Sequence, residues 1–540
     1  MCFAGLHSTF PRYFSHHFSQ YVWPIFVGPA EPEGHVRMRA HTRRRMFASI
    51  ATVIVASMAL IGCSSGSTTA EGEPDTALTV GLLATPGNLD YTTTAGAAIP
   101  QALLYNVYEG LVKLDNDGTI IPLLAESWTV SDDGLVYDFL LHEGVAFSDG
   151  SPFTAESVKF SLERVKDNWT ANGPAYLDPI ASIEAVSDTE ARITLSKPSN
   201  SWLFNMSGPV GTMFTESGLA DLATAPIGTG PYTVSSFKTG DSLVLATNAD
   251  YWGEAPYMTD VTLRYFTDAT AQTNALLSGD INLISGISQF QLVDQFKSNT
   301  DFQVLEGAST GEVTLSMNNA SDAFSDVRVR QAVMYAIDRQ AVMDTANSGY
   351  GLLIGSMVPP TDPWYDATLA DLYPYDPDQA TELLAEAGVS DLTVAFKIPN
   401  LPYAVAGAQV VKDQLAKVGI TANVTALEFP AVWLDEVFSG HDYDMSLIMH
   451  SEPRDVTAFA APTYYAGYDS PAVMAKFAEA DAADATAYIE LMKEATTTMA
   501  EDAAADWLYL QPAISLADAD LLGVPKNTPS LALDLSTIAR

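Results

Sequence analysis

From Leu78 to Ala426 the apolar residues switch repeatedly between a period of two and a period near 3.6, which excludes most fold classes. Leu78-Thr79-Val80-Gly81-Leu82 alternates like a strand, whereas Leu103, Leu104, Val107 and Leu111 put a helix over 99–112. Hairpins are expected at 128–130 with 136–140, around Ser131-Asp132-Asp133-Gly134, and at 183–186 with 191–195. Thr154 is a candidate N-cap for a helix over 158–165. Further helices are expected at 270–277, 327–337, 376–387 and 409–418, with strands at 313–317, 392–398 and 421–426. No unit of 20–50 residues repeats, so solenoids and propellers are excluded. The class is α/β, and 540 residues exceed what one core can serve, so two or three lobes are expected.

The N-terminus reads as a targeting segment. Arg39, Arg43, Arg44 and Arg45 precede an uncharged apolar run from Phe47 to Ile61, followed by Gly62-Cys63-Ser64-Ser65. The run is shorter than the roughly 20 residues that span a bilayer core. Leu60-Ile61-Gly62-Cys63 resembles a bacterial lipobox, which implies that Cys63 is lipidated and begins the mature chain. Residues 1–62 are then a leader, with translation starting at Met38 or Met46, and 63–76 a flexible tether. Arg44-Arg45-Met46-Phe47 resembles a twin-arginine signal, so the export route stays open. The bulk of the chain is expected on the extracytoplasmic face of the cell membrane.

Charge removes other classes. Lys+Arg number 26 against 66 Asp+Glu, a net of -40, which repels nucleic acid. Cys2 and Cys63 are the only cysteines, and beyond the leader His142, His441 and His450 are the only histidines, so no metal or cofactor is expected. A hydrolase would need a nucleophile elbow or a zinc-binding His-Glu-x-x-His helix, and the sequence has neither.

Several segments then occur in a recognisable order: Pro122 to Trp128, Leu141 to Gly150, Pro152 to Val158, Pro226-Ile227-Gly228-Thr229-Gly230-Pro231-Tyr232, and Asn248 to Trp252. Asp326 to Ala332, Tyr335-Ala336-Ile337-Asp338-Arg339 and Tyr375-Asp376-Pro377 follow. In this order they resemble the extracellular solute-binding proteins of the peptide, dipeptide and nickel type, family 5. The resemblance implies a periplasmic-binding-protein-like fold (type II, cluster C) with two large lobes joined by hinge strands and an inserted smaller lobe. By analogy lobe I takes 77–105, 225–312 and 513–540, the inserted lobe 106–224, and lobe II 313–512. The hinges fall near 313–319 and 513–520. Gly228-Thr229-Gly230-Pro231 is expected to need glycine torsions in a tight connection.

The same resemblance implies a lipid-anchored monomer serving the permease subunits of an ABC importer, with peptide as solute. An oligosaccharide or a nickel chelate is the alternative, and a receptor that feeds no importer another. In the family's peptide binders a carboxylate after a Tyr-Asp-Met-like strand pairs with the ligand's amino terminus. Here Tyr443-Asp444-Met445 leads to His450, Glu452, Arg454 and Asp455, with His450 where those binders carry tryptophan. An arginine there could take a ligand carboxylate bidentately, or pair with Asp455 or Glu452 to hold the loop. Asp90-Tyr91-Thr92 fall where the family lines its cleft from the other lobe, and Trp364, Tyr403, Trp433, Tyr464 and Tyr465 are candidate stacking residues.

Overall fold

The computed structural model describes residues 75–540 except Asn172, so the leader, Cys63 and most of the tether lie outside the described residues. The strand Ala77–Leu82 forms as expected and joins a ten-stranded mixed sheet. Its order is Ile420–Leu427, Leu392–Pro399, Met445–His450, Phe302–Met317, Ala505–Asp518, Leu283–Ile284, Ala77–Leu82, Asp260–Tyr265, Ser242–Thr247, Tyr232–Lys238. A separate four-stranded antiparallel sheet (Ala125–Val130, Val136–Leu141, Glu190–Leu195, Ile180–Ser187) packs on the helix Ala155–Asn168.

Two long strands tie the large sheet together. Phe302–Met317 and Ala505–Asp518 pair antiparallel, with a register shift between Ala308 and Gly311 opposite Pro512 and Gln511. On one side of the shift 302–308 lies against 512–518; on the other, 311–316 lies against 505–511 and also pairs with Met445–His450. The expected strand at 313–317 was only the end of this element. Gly307, Ser309, Thr310 and Gly311 interrupt the apolar alternation that would have marked its start.

Beyond the shift the alternation decides what each face meets. Val313, Leu315 and Met317 join Met445 and Leu447 in one core, with the helices Val327–Ala336 and Pro402–Lys417. Residues opposed in an antiparallel pair share a face. Glu312 opposite His450, Thr314 opposite Ile448 and Ser316 opposite Ser446 therefore point together to the other side, where Ile448 joins the core containing Trp433 and Tyr465. A buried polar face is thus built beside an aromatic layer.

Most family segments serve as scaffold. Asp326 and Asp376 cap the helices Val327–Ala336 and Pro377–Glu386 through Arg328 N–H and Gln379 N–H. Buried Arg330 donates to the carbonyls of Ala503, Phe324 and Asp502, and buried Arg339 to those of Ile354 and Ala370. Glu109, 1% exposed, gathers two other segments: Thr229 Oγ1 (2.8 Å), Tyr251 OH (2.9 Å) and Trp252 Nε1 (2.9 Å) all donate to its carboxylate.

The glycines beside Thr229 are needed for space, not for torsion. Neither Gly228 nor Gly230 has a positive φ. A Cβ on Gly228 would sit 2.0 Å from Val107 O, and one on Gly230 2.5 Å from Asn106 O. Gly228→Ala should therefore cost ~2 kcal/mol through overpacking, read as a lower urea midpoint with an unchanged m-value.

Three expected helices had wrong limits, and the one expected over 158–165 runs Ala155–Asn168. The helix expected over 99–112 stops at Leu103, because Leu104 is extended, Tyr105 has a φ of 68°, and the chain turns to bring Glu109 to its three donors. The helix expected from 409 begins at Pro402, which occupies its first turn and needs no N–H partner there.

Candidate ligand-binding site

Strand Met445–His450 ends at the polar face and hands over to the loop 451–455, which Thr310 Oγ1 fixes by donating to Ser451 O at 2.8 Å. His450 is buried; its Nε2 lies 2.9 Å from Tyr465 OH and its Nδ1 3.3 Å from Tyr464 OH. Burial lowers the imidazole to about 3, so it is neutral at ordinary pH. Asp455 Oδ2 stands 3.7 Å from Nδ1 and gains no cation there.

Arg454 occupies left-handed backbone (φ 59°) and pairs with Asp362 (Nε to Oδ1, 2.9 Å), not with Glu452 or Asp455. Its guanidinium lies 3.7 Å from the ring centroid of Phe204 and 4.7 Å from that of Trp364. Leu114, Gly118, Phe204, Thr310, Asp362 and Arg454 border a cavity with room for about one water. Residues 114–204 and 310–454 thus meet directly at this point. A second contact reinforces it: Asn200 Nδ2 donates to the carbonyls of Ala480, Asp481 and Ala483, while Asp481 Oδ1 accepts from Ser201 N–H and Ser199 Oγ. Each side chain caps the end of the other's helix, Asn200–Asn205 or Pro471–Asp481.

The remaining carboxyls are poorly compensated. Glu312, 2% exposed, projects from the same face as His450, and its Oε2 has no hydrogen-bond partner; neither does Asp455 Oδ2. Burial holds Glu312 and Asp455 well above the usual carboxylate range, reinforced at Glu312 by the charge of Asp455 and at Asp455 by that of Glu452. Burial pushes Glu452 up to about 7. Such a site favours an incoming cation, because a paired charge relieves what burial imposes.

The expected candidates separate into layers. Glu452, Arg454, Asp455 and His450 come together. Tyr464, Tyr465 and fully buried Trp433 form the layer behind His450, with Trp433 Nε1 donating to Ser446 Oγ at 3.2 Å. Tyr403 is half-buried and its hydroxyl accepts from Met449 N–H at 2.9 Å. Tyr91 is placed elsewhere, edge-on to Tyr108 and Trp169 in the N-terminal core. Asp90 closes its own loop by accepting from Thr92 and Thr93.

Residues 119–471 match the family described as bacterial extracellular solute-binding proteins, family 5 Middle. The chain belongs to that family. Among curated relatives, the glutathione-binding protein GsiB of Salmonella typhi is 32% identical over 343 residues, 62% of this chain and 66% of its own length, just under two thirds. The structure of NikA from Brucella suis in complex with Fe(III)-EDTA aligns with a TM-score of 0.75 at 25% identity, covering 86% of this chain and all of that one. DppA of Helicobacter pylori in complex with peptide STSA aligns at 0.69 and 24% identity, over 86% and 98%. The family's fold, a mixed α/β architecture around a large central sheet, is the one expected.

Glu312, Asp362 and Phe204 were not among the sequence candidates. Glu312 left a signal, a carboxylate inside the otherwise uncharged stretch 307–317 of its strand. Asp362 sits in Pro359-Pro360-Thr361-Asp362-Pro363, which reads as turn chemistry, and Phe204 left none.

Raised carboxyls also set a pH dependence. Burial raises Glu109 to about 7 and Asp506 to about 6, the latter partly offset by Arg339. With Glu452 they hold protons longer in the folded chain than in the unfolded one. Folding then takes up protons between the ordinary carboxylate range and pH 7, so stability falls as pH rises through that window. Urea midpoints at pH 5 and pH 7.5 should show the lower value at pH 7.5.

Proposed function

We propose that the protein is the solute-binding component of an ABC importer, anchored through Cys63 outside the cytoplasm, which captures peptides and delivers them to the permease subunits. The observation that carries the solute class is the group of buried carboxyls beside Asp455, built where 114–204 and 310–454 meet. A peptide's terminal ammonium answers Asp455 and Glu452, and the positive charge of Arg454 answers a ligand carboxylate. In this reading 313–512 form one lobe, the N-terminal and C-terminal segments the other, and 106–224 an inserted lobe. The strands 302–317 and 505–518 act as the hinge, and Asn200, Asp481 and Phe204 hold the closed state.

Family membership supports the transport role, and the names of GsiB and of the DppA complex support a peptide-like solute. A thermal-shift screen of the full-length chain against di- to octapeptides, oligosaccharides and nickel chelates tests it, because a ligand that binds only the folded state raises Tm. A rise with peptides alone is expected. A rise only with sugars or chelates would keep the family and overturn the peptide assignment.

A further inference from the structure

We propose that Glu312 is a specificity residue that selects ligands with two neighbouring positive charges, namely peptides whose first residue is arginine or lysine. The inference rests on the peptide reading and adds the side-chain class. One terminal ammonium needs one carboxylate partner, and Asp455 with adjacent Glu452 already supplies it. Glu312 is a further acid from a different element, the long strand Phe302–Met317.

Three observations make it more than one member of an acidic patch. It is 2% exposed, its Oε2 has no hydrogen-bond partner, and it faces the site: it opposes His450 in register, and Asp455 Oδ2 lies 3.7 Å from that imidazole. The nearby cation does not serve it, because Arg454 is committed to Asp362. His450 binds tyrosine hydroxyls and is neutral. A buried carboxyl oxygen held there without a partner is costly to the free protein and becomes useful once a second cation arrives.

Calorimetry on the full-length chain compares Arg-Ala-Ala with citrulline-Ala-Ala, whose first side chain has nearly the same shape but no charge. The arginine peptide should bind at least ~10-fold tighter, the difference between a charged and a neutral hydrogen-bonding partner. In Glu312→Gln that ratio should fall below about twofold. Equal affinities in the natural protein, or an unchanged ratio in the variant, would overturn the proposal. If neither peptide binds, agmatine and spermidine separate the two readings. Glu312-dependent binding of either keeps the paired-cation site and sinks the peptide assignment, while no binding overturns both.

Discussion

Asp455→Asn will weaken binding of a peptide with a free amino terminus by about 100-fold, measured by calorimetry at pH 7.5. Breaking a buried charge pair on one side costs about 3–5 kcal/mol, and ~2.7 kcal/mol is already a hundredfold in Kd. Asp455 carries this penalty because its side chain is only 9% exposed and its Oδ2 has no hydrogen bond within the protein. Asparagine keeps the shape and an acceptor oxygen but removes the charge. The variant should also melt slightly higher than the natural protein when no ligand is present, since an uncompensated buried carboxyl has been removed. A weaker complex together with a more stable free protein is the signature of a binding carboxylate. A structural carboxylate would lose both.

Glu109→Ala gives the largest loss of stability, about 4 kcal/mol in urea unfolding. Three donors converge on this one buried carboxylate, and each buried donor left without an acceptor costs about 1–3 kcal/mol. Glu109→Gln should cost only ~1 kcal/mol, because the amide oxygen can take the position shared by Thr229 and Trp252 while Tyr251 turns its hydroxyl to accept. The glutamine variant should also lose part of the decline in stability between pH 5 and 7.5, since Glu109 no longer titrates there. Equal losses in both variants would mean that the network contributes little and that the site is held by packing alone.

These residues show what was legible in the sequence. The hairpins, most helices and the α/β class followed from apolar period, capping residues and glycine stops, which act locally. The motif order exposed the family, yet the reason for the motifs was hidden. Thr229, Tyr251 and Trp252 serve one carboxylate more than a hundred residues away from each of them, a relation with no local trace. The loop from His450 to Asp455 was found because it follows a recognisable strand. Its partners were not: Glu312 comes from another strand, Asp362 from a proline-rich turn and Phe204 from beyond two hundred residues of chain. Tyr91 shows the converse, a residue expected in the cleft by position that the fold packs among aromatic rings.

The central claim is that the carboxyls around Asp455 receive a cationic ligand terminus. Titrating the full-length chain with one peptide, free and N-acetylated, tests it most directly. The account predicts a loss of about 100-fold or more on acetylation, and proton release with the free peptide as the raised carboxyls ionise. Equal affinity for the two forms, with no proton released, would contradict it.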